Sequence, residues 1–361
     1  EVEDPAQGII DLINESMYGA LRVVSVEQGY DPKDFALVVF GGAGPLHANA
    51  VGELLGSWPV IIPPSPGIVC AQGEVVTKPS HEKSSSYIRA LSTLDFDDFR
   101  ATFHDVKEFC CSKLIGRGVK ATSHPLKMTY QVDLRYMGQS QEMTVAVEES
   151  LFKGSVEKVQ DALREKFEAA HRRRFTFIMP QYQIELIRLR VIASDDSPDA
   201  QLTSLKDTGG DLIPPQSAMV CQKKIYFNKE RLDAVVWDRK AISVPGMTLY
   251  GPCVINEMDS NTLVLPGYFA KIDKMGNIII NPSQETRSMG NQSLSTEAAN
   301  KHLSGTAIIP TLISSALSSI RREMDTLVLR ASMSPGIREQ QVSLSLSLSR
   351  GGEADLSRNQ G

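Results

Sequence analysis

The segment that most constrains this chain is Phe35-Ala36-Leu37-Val38-Val39-Phe40, followed at once by Gly41-Gly42-Ala43-Gly44-Pro45. A short, continuous, β-branched-rich apolar run reads as a strand buried on both faces, because a strand covered on one side only would alternate apolar and polar residues. The glycines end it abruptly and permit positive φ or a close approach of other atoms to the backbone. A helix is expected next, over about 46–55, and then a second buried strand over 59–62, closed by Pro63-Pro64-Ser65-Pro66-Gly67. Upstream, Ile9, Ile10, Ile13, Met17, Leu21 and Val24 recur at helical spacing between Asp4, a candidate N-cap followed by Pro5, and the stop at Gly29. Helix, strand, glycine loop, helix and strand make an α/β unit.

The remainder reads as a strand-rich α+β region with a further helix. A helical pattern runs over 94–114, and period-two strands are expected over 128–136, 142–147 and 182–193. Between the last two lies a charged helix, 155–173, with Phe167 and Ala170 on its inner side. Residues 196–216 are rich in Asp, Ser, Gly and Pro and read as a long surface loop. Strands follow over 222–227, 234–237, 253–257, 261–264 and 277–280. A polar linker over 283–297 marks a domain boundary, since little there has a reason to be buried. Beyond it, Leu312, Ile313, Leu317, Ile320, Met324, Leu327 and Val328 outline one broad face of a long helix over 308–329. The tail from 342 starts as a strand and is expected to end without partners. With 361 residues the chain has room for two or three domains.

Composition excludes several function classes. A net charge of -5, with basic residues dispersed, leaves no footprint for nucleic acid or an anionic membrane. No apolar run approaches the roughly 18–20 residues of a membrane span, and no leader pattern opens the chain, so it reads as cytoplasmic. Cys70, Cys110, Cys111, Cys221 and Cys253 show no pairing pattern and are expected to be free, buried thiols. The first residue is Glu1 rather than Met, which is expected of a piece of a longer protein.

Five groups of residues are candidates for chemistry. The glycine loop opens a helix whose first N–H groups suit an anionic or polar ligand, although it matches neither the dinucleotide fingerprint nor the P-loop, and a tight turn explains it equally well. His47, directly after the loop, suits contact with phosphate, substrate or metal, or plain helix packing; its nearest acidic neighbour on the helix is Glu53 at i+6, which is no local metal set. Glu257 and Asp259, two apart at a strand end, suit metal binding or acid–base work, or turn and cap chemistry. Asp133, Arg135 and Tyr136, in the strand over 130–138, suit the same metal or acid–base work, or alternate simply as on a solvated sheet face. The run His171-Arg172-Arg173-Arg174 suits an anion clamp or complements a helix C-terminus. Arg321, Arg322 and Glu323 read as the exposed face of the last helix.

The run ALVVFGGAGPLHANAVGELLGSWPVIIPPSPGIVCAQG closely resembles the hydantoinase A/oxoprolinase family. So do FEAAHRRRFTFIMPQYQIELIRLRV and GPCVINEMDSNTLVLPGYFAKIDKMGNIII, while SSIRREMDTLVLRASMSPGIREQ resembles the start of the hydantoinase B part. The resemblance implies a partial actin-like (ribonuclease H-like) ATPase domain over 1–80, an α+β C-terminal domain of the A part over 81–282, a linker over 283–305 and the start of a B-like domain over 306–361. Gly41, Gly42, Ala43, Gly44 and Pro45 would then be the adenosine-side loop, with ATP and Mg2+, and a possible second divalent metal, as cofactors. His47, Glu257 and Asp259 are the weak metal candidates, and no catalytic residue is assigned. The implied activity is ATP-dependent opening of a lactam or hydantoin ring. The alternatives are a non-catalytic nucleotide-binding or assembly module and a subunit of an ATP-dependent ketone carboxylase. The family's phosphate loop would precede Glu1, and most of the B part would follow Gly361. Where the B part usually places an acidic residue, the chain continues Arg338-Glu339-Gln340-Gln341. The chain alone is therefore expected to be inactive and to need the other A and B segments, in an oligomer, to act on a cyclic amide.

Overall fold

The structure, a computed structural model, describes residues 3–119, 126–139, 141–197, 212–228 and 230–284, single positions at 205, 317, 321 and 324, and two strands near the C-terminus. In chain order the elements are α1 (Glu3–Val24), β1 (Leu37–Val38), α2 (Gly44–Leu55), β2 (Val60–Ile62), α3 (Val69–Val76), β3 (Ser80–Ala90), α4 (Phe96–Gly116), β4 (Leu126–Tyr136), β5 (Met143–Val147), α5 (Val156–Phe175), β6 (Ile184–Asp195), β7 (Met219–Phe227), β8 (Glu230–Asp238), α6 (Arg239–Ile242), β9 (Thr248–Tyr250), β10 (Cys253–Asn256), β11 (Asn261–Val264), β12 (Tyr268–Ile272), β13 (Ile278–Pro282), β14 (Leu344–Leu348) and β15 (Ala354–Arg358). The chain divides into two compact units, one of residues 1–77 with 199–319 and one of 78–198 with 320–361.

The first unit has mixed sheets. One runs in the order β1-β2-β13-β12-β9 and the other in the order β11-β10-β8-β7. β1 and β2 are parallel, as are β8 and β10; the remaining pairs are antiparallel. Val60, Ile62, Leu249, Ile255, Ala270 and Ile280 belong to one core shared by both sheets. Each of the buried Val, Leu and Ile side chains contributes about 1.5–3 kcal/mol. The expected doubly buried strand over 35–40 is corrected. β1 is two residues long at a sheet edge, and Phe35, Val38 and Phe40 are each about half exposed. Among the described residues it pairs on one side only, through N–H groups of Leu37 and Val39 to the carbonyls of Pro59 and Ile61. The same holds for α1. Ile9, Ile13 and Val24, expected on its inner face, are exposed, and Asp4 lies inside the helix rather than at its cap. Gly29 does end the segment, in the left-handed region at φ 82°, after a short 3-10 turn.

The second unit holds an antiparallel sheet in the order β3-β6-β4-β5. α4 starts where Asp95 accepts the N–H groups of Asp97 and Asp98, and α5 follows Ser155 at its N-cap. Phe99, Phe103 and Val106 of α4, Leu163 and Phe167 of α5, and Val132, Leu189 and Val191 of the sheet share one core. Within it Phe103 meets Phe99 edge-on at 5.0 Å and Tyr130 at 5.6 Å. Alternate sheet residues Asp133, Arg188 and Arg190 take the opposite face by the period-two rule. Asp133 is buried there, within 3.4 Å of Arg188 and 3.3 Å of Arg190, and its other oxygen accepts from the Thr144 hydroxyl at 2.6 Å. Arg135 pairs with Glu185 at 2.6 Å, whereas Tyr136 turns inward and its hydroxyl accepts the Met179 N–H at 3.0 Å. The solvated-face reading is thus corrected for both Asp133 and Tyr136.

His171 is fully buried among Tyr136, Phe167, Phe175 and Phe177. Its Nδ1–H donates to the Phe177 carbonyl at 2.7 Å and its Nε2 accepts from the Gln139 amide at 3.2 Å. It belongs to the core and not to an anion clamp, while Arg172, Arg173 and Arg174 occupy the last turn of α5, where basic residues complement the helix dipole. Burial holds the imidazole below its ordinary range, with the Phe177 bond pulling the other way. Because the unfolded ring titrates near ~6.5 and the folded ring lower, the unfolded state binds the extra proton as pH falls. Stability is therefore full above about pH 6.5 and declines below it. Urea midpoints at about pH 7.5 and about pH 5.5 check this: the decline should shrink in His171→Gln, and an identical decline in that variant would assign the effect to other groups.

All five cysteines are free, as expected, but only Cys110 and Cys253 are buried; Cys70 is exposed, which corrects the expectation for that thiol. Burial pushes the Cys253 thiol up to about 12. The tail also departs from expectation, because β14 pairs with β15 in antiparallel register instead of ending alone. No helix among the described residues is long and apolar enough to cross a membrane. Of the helix expected over 308–329, only Leu317, Arg321 and Met324 are described, each helical and exposed; Arg322, Glu323, residues 285–316 and residues 334–343 lie outside the described residues, as does most of the loop over 196–216.

Candidate functional site

The parallel pair β1 and β2 places two loops side by side at its carboxyl ends, the glycine loop after β1 and Pro63–Gly67 after β2. The Gly41 N–H donates to the Pro66 carbonyl at 2.7 Å and ties them together. Gly41 has φ +92°, a conformation L side chains rarely adopt, and nothing stands within 4 Å on the side a Cβ would take. Gly42 and Ala43 are exposed. Gly44 starts α2 close against Val39, Pro45 follows as a buried first-turn proline, and Ala43 at the N-cap offers no side-chain bond to the helix amides.

A third segment closes over these loops. Between β10 and β11 the chain turns through Glu257-Met258-Asp259-Ser260, with the Glu257 N–H donating to the Ser260 carbonyl at 3.0 Å. Asp259 Oδ2 accepts the Gly67 N–H at 2.8 Å, and Glu257 Oε2 accepts the Ser65 N–H at 3.2 Å. A Cβ at Gly67 would lie 2.7 Å from Asp259 Oδ2, and one at Gly42 would lie 3.3 Å from the Asp259 carbonyl. The two carboxylates therefore lie in the turn beyond β10 rather than on one strand face, and both cap backbone amides of the second loop. Burial pushes the Glu257 carboxyl above the usual carboxylate range, against the pull of the buried Arg239 guanidinium. Arg239 in turn donates to the Gly276 carbonyl.

The structure brings Gly41–Pro45 together with Glu257 and Asp259. His47 points elsewhere. It is buried, its Nδ1–H donates to Asn14 Oδ1 of α1 at 2.8 Å, and burial lowers its pKa. No group of three or more His, Cys, Asp or Glu side chains suited to a metal ion occurs among the described residues. Ser65, Gly67, Arg239 and Asn14 escaped the sequence reading. Pro-Pro-Ser-Pro-Gly after a buried strand was a usable signal for the first two, whereas nothing local marks Arg239 or Asn14.

Comparison with known proteins fits this geometry to a family. The hydantoinase/oxoprolinase family model matches residues 1–83, and the model of the hydantoinase/oxoprolinase C-terminal domain matches residues 95–278. An uncharacterised protein of Methanocaldococcus jannaschii is 32% identical over 279 residues, covering 76% of this chain and 37% of that protein. Caprolactamase subunit alpha of Pseudomonas jessenii is 31% identical over 290 residues, covering 78% of this chain and 40% of that one. The crystal structure of ATP-dependent caprolactamase from Pseudomonas jessenii superimposes with a TM-score of 0.65 at 27% identity, again over 78% of this chain and 40% of that one. The chain thus spans about two fifths of the length of these relatives. The second model alone spans half of the chain, and the first covers the glycine loop and both parallel strands, so the chain belongs to the hydantoinase/oxoprolinase family.

Proposed function

We propose that the glycine loop and Ser65–Gly67 form the adenosine-side wall of a nucleotide site in an actin-like, ribonuclease H-like ATPase domain. The longer protein couples ATP hydrolysis to opening a lactam or hydantoin ring. One observation carries this reading: two loops bonded to each other lie at the carboxyl ends of adjacent parallel strands, where open α/β sheets bind ligands, and one of them is glycine-rich and open at Gly41. The resemblance to an ATP-dependent caprolactamase supports it. Gly41 to Gly44 would approach the nucleotide through the backbone, and Pro45 would start the helix that fixes the loop.

The residues present fit a nucleoside better than a triphosphate. Asp259 and Glu257 already accept the Gly67 and Ser65 amides, so an anion there meets two carboxylates, whereas ribose hydroxyls and the adenine amine bring donors that carboxylates accept. When bound, ATP supplies the phosphoryl group that activates an unreactive amide. The described residues assemble no donor set for Mg2+ or a second divalent metal, and no step is assigned to either. The cyclic amide and the other A and B segments complete the proposed assembly.

Release of ADP by the longer protein tests the reading. Caprolactam, oxoproline or hydantoin should stimulate it. Stimulation by a ketone with bicarbonate instead would favour the carboxylase alternative, and nucleotide binding without stimulated turnover would favour a non-catalytic module. Gly42→Val, which projects a branched side chain beside the Asp259 carbonyl, should raise KM for ATP about tenfold or more.

A further inference from the structure

α2 carries the glycine loop at its start, and along its flank it helps to enclose a separate cavity of about 680 Å3. That volume suits a small organic molecule. One wall comes from α1, a second from α2, and a third from the end of β7 and the stretch 263–265. Its apolar lining includes Ile10, Leu46, Leu54, Leu263 and Leu265.

The polar lining is one-sided. Asp11, whose Oδ1 accepts from the Gln7 amide at 2.9 Å, Glu15, and Glu53, whose carboxyl burial pushes up against a hydrogen bond with Tyr268, line the cavity, with no lysine or arginine among the described lining residues. His47 also lines it and is 8% exposed; its Nδ1–H is committed to Asn14 Oδ1, itself a lining residue that is 6% exposed. With Nδ1 committed, the remaining ring nitrogen, Nε2, is a hydrogen-bond acceptor on a residue that lines the cavity. The acidic groups are spread over two helices, and no metal-type cluster of three occurs among the described residues.

We propose that this cavity binds an alkylammonium group, with the aliphatic part against the leucines, the charge among Asp11, Glu15 and Glu53, and one N–H donated to His47 Nε2. Inorganic metal binding lacks a converging donor set among the described residues, and an anion would meet three carboxylates and no cation among the described lining residues. The site does not rest on the nucleotide reading, because no glycine-loop residue lines it.

Calorimetric titration of the 361-residue chain with hexylammonium chloride tests the proposal, with hexan-1-ol and sodium hexanoate at matched ionic strength as controls. Saturable one-to-one binding of hexylammonium, at least about tenfold tighter than either control, is expected. Glu15→Gln should weaken it by about tenfold. In the unaltered chain, hexylammonium should shift the nitrogen resonance of His47 Nε2 while hexan-1-ol leaves it in place, a readout that needs no variant to fold. Equal binding of hexan-1-ol would reduce the cavity to an apolar hollow. Preference for hexanoate, or no saturable binding up to about 10 mM hexylammonium, would overturn the proposal. So would unchanged affinity in Glu15→Gln or an unmoved His47 resonance.

Discussion

Gly251→Ala is expected to cost the first unit at least about 3 kcal/mol of stability. Gly251 lies between β9 and β10, and a Cβ there would stand 1.9 Å from the Leu265 carbonyl oxygen, 2.7 Å from the Leu265 carbonyl carbon and 2.9 Å from the Val264 carbonyl oxygen. All three are backbone atoms, so no rotamer change relieves the overlap. The strand end itself would have to move, taking with it the bond from the Gly251 N–H to the Tyr268 carbonyl at 2.9 Å and the seating of Val264 in the core. Gly52 is the useful contrast. A Cβ there would meet Val60 Cγ2 at 2.5 Å, which is a side-chain atom, and alanine in a helix gains about 1 kcal/mol over glycine. Gly52→Ala should therefore cost much less. Trp58 and Trp237 both lie in the first unit, and Trp58 stacks on Tyr268 at 5.1 Å, so tryptophan fluorescence in urea reports on the right region. A Gly251→Ala midpoint indistinguishable from that of the unaltered chain would show that the approach of 251 to 265 is not that close.

The second large effect is expected at Asp133 on the polar face of the other sheet. Its side chain is 3% exposed and lies between Arg188 and Arg190, whose side chains are 39% and 26% exposed. Removing one member of a buried ion pair costs about 3–5 kcal/mol. Partial solvation of the arginines screens part of that, which puts the expected loss for Asp133→Ala near ~2–3 kcal/mol. Asp133→Asn keeps an oxygen for the Thr144 hydroxyl and should lose less. Hydrogen exchange at β4 and β6 amides reads the change in place, and a double-mutant cycle with Arg190→Ala separates the pair from the fold. Loss of under about 0.5 kcal/mol in Asp133→Ala would mean the carboxylate is as good as solvated.

The elements legible beforehand share a physical trait: their signal is local. α4 and α5 announce themselves by 3.6-residue periodicity, and β4 and β6 by alternation. β3, Ser-His-Glu-Lys-Ser-Ser-Ser-Tyr-Ile-Arg-Ala, was missed because it is an edge strand whose half-buried positions, His81, Lys83 and Ser85, are polar, so its alternating burial leaves no apolar period in the sequence. β1 shows the converse error. Its apolar run was read correctly as extended chain, but apolarity alone does not say whether a neighbour covers it. For the candidate site, Gly41 to Pro45 stood out from composition and order, whereas the reading of Glu257 and Asp259 left metal, acid–base and cap roles open.

Residue order alone therefore determined the family resemblance, the strand–glycine–helix unit and the pool of candidate side chains, because each depends on neighbours a few positions away. Tertiary structure decided which of those candidates meet. Glu257 and Asp259 each reach an amide 192 residues earlier, and β13 pairs with β2 across more than two hundred residues, so their partners are set by the path of the whole chain. The same path seats His47 against Asn14 and away from the turn that holds the carboxylates. Periodicity fixes which way a side chain points along its own element, but only packing of distant segments fixes what it finds there.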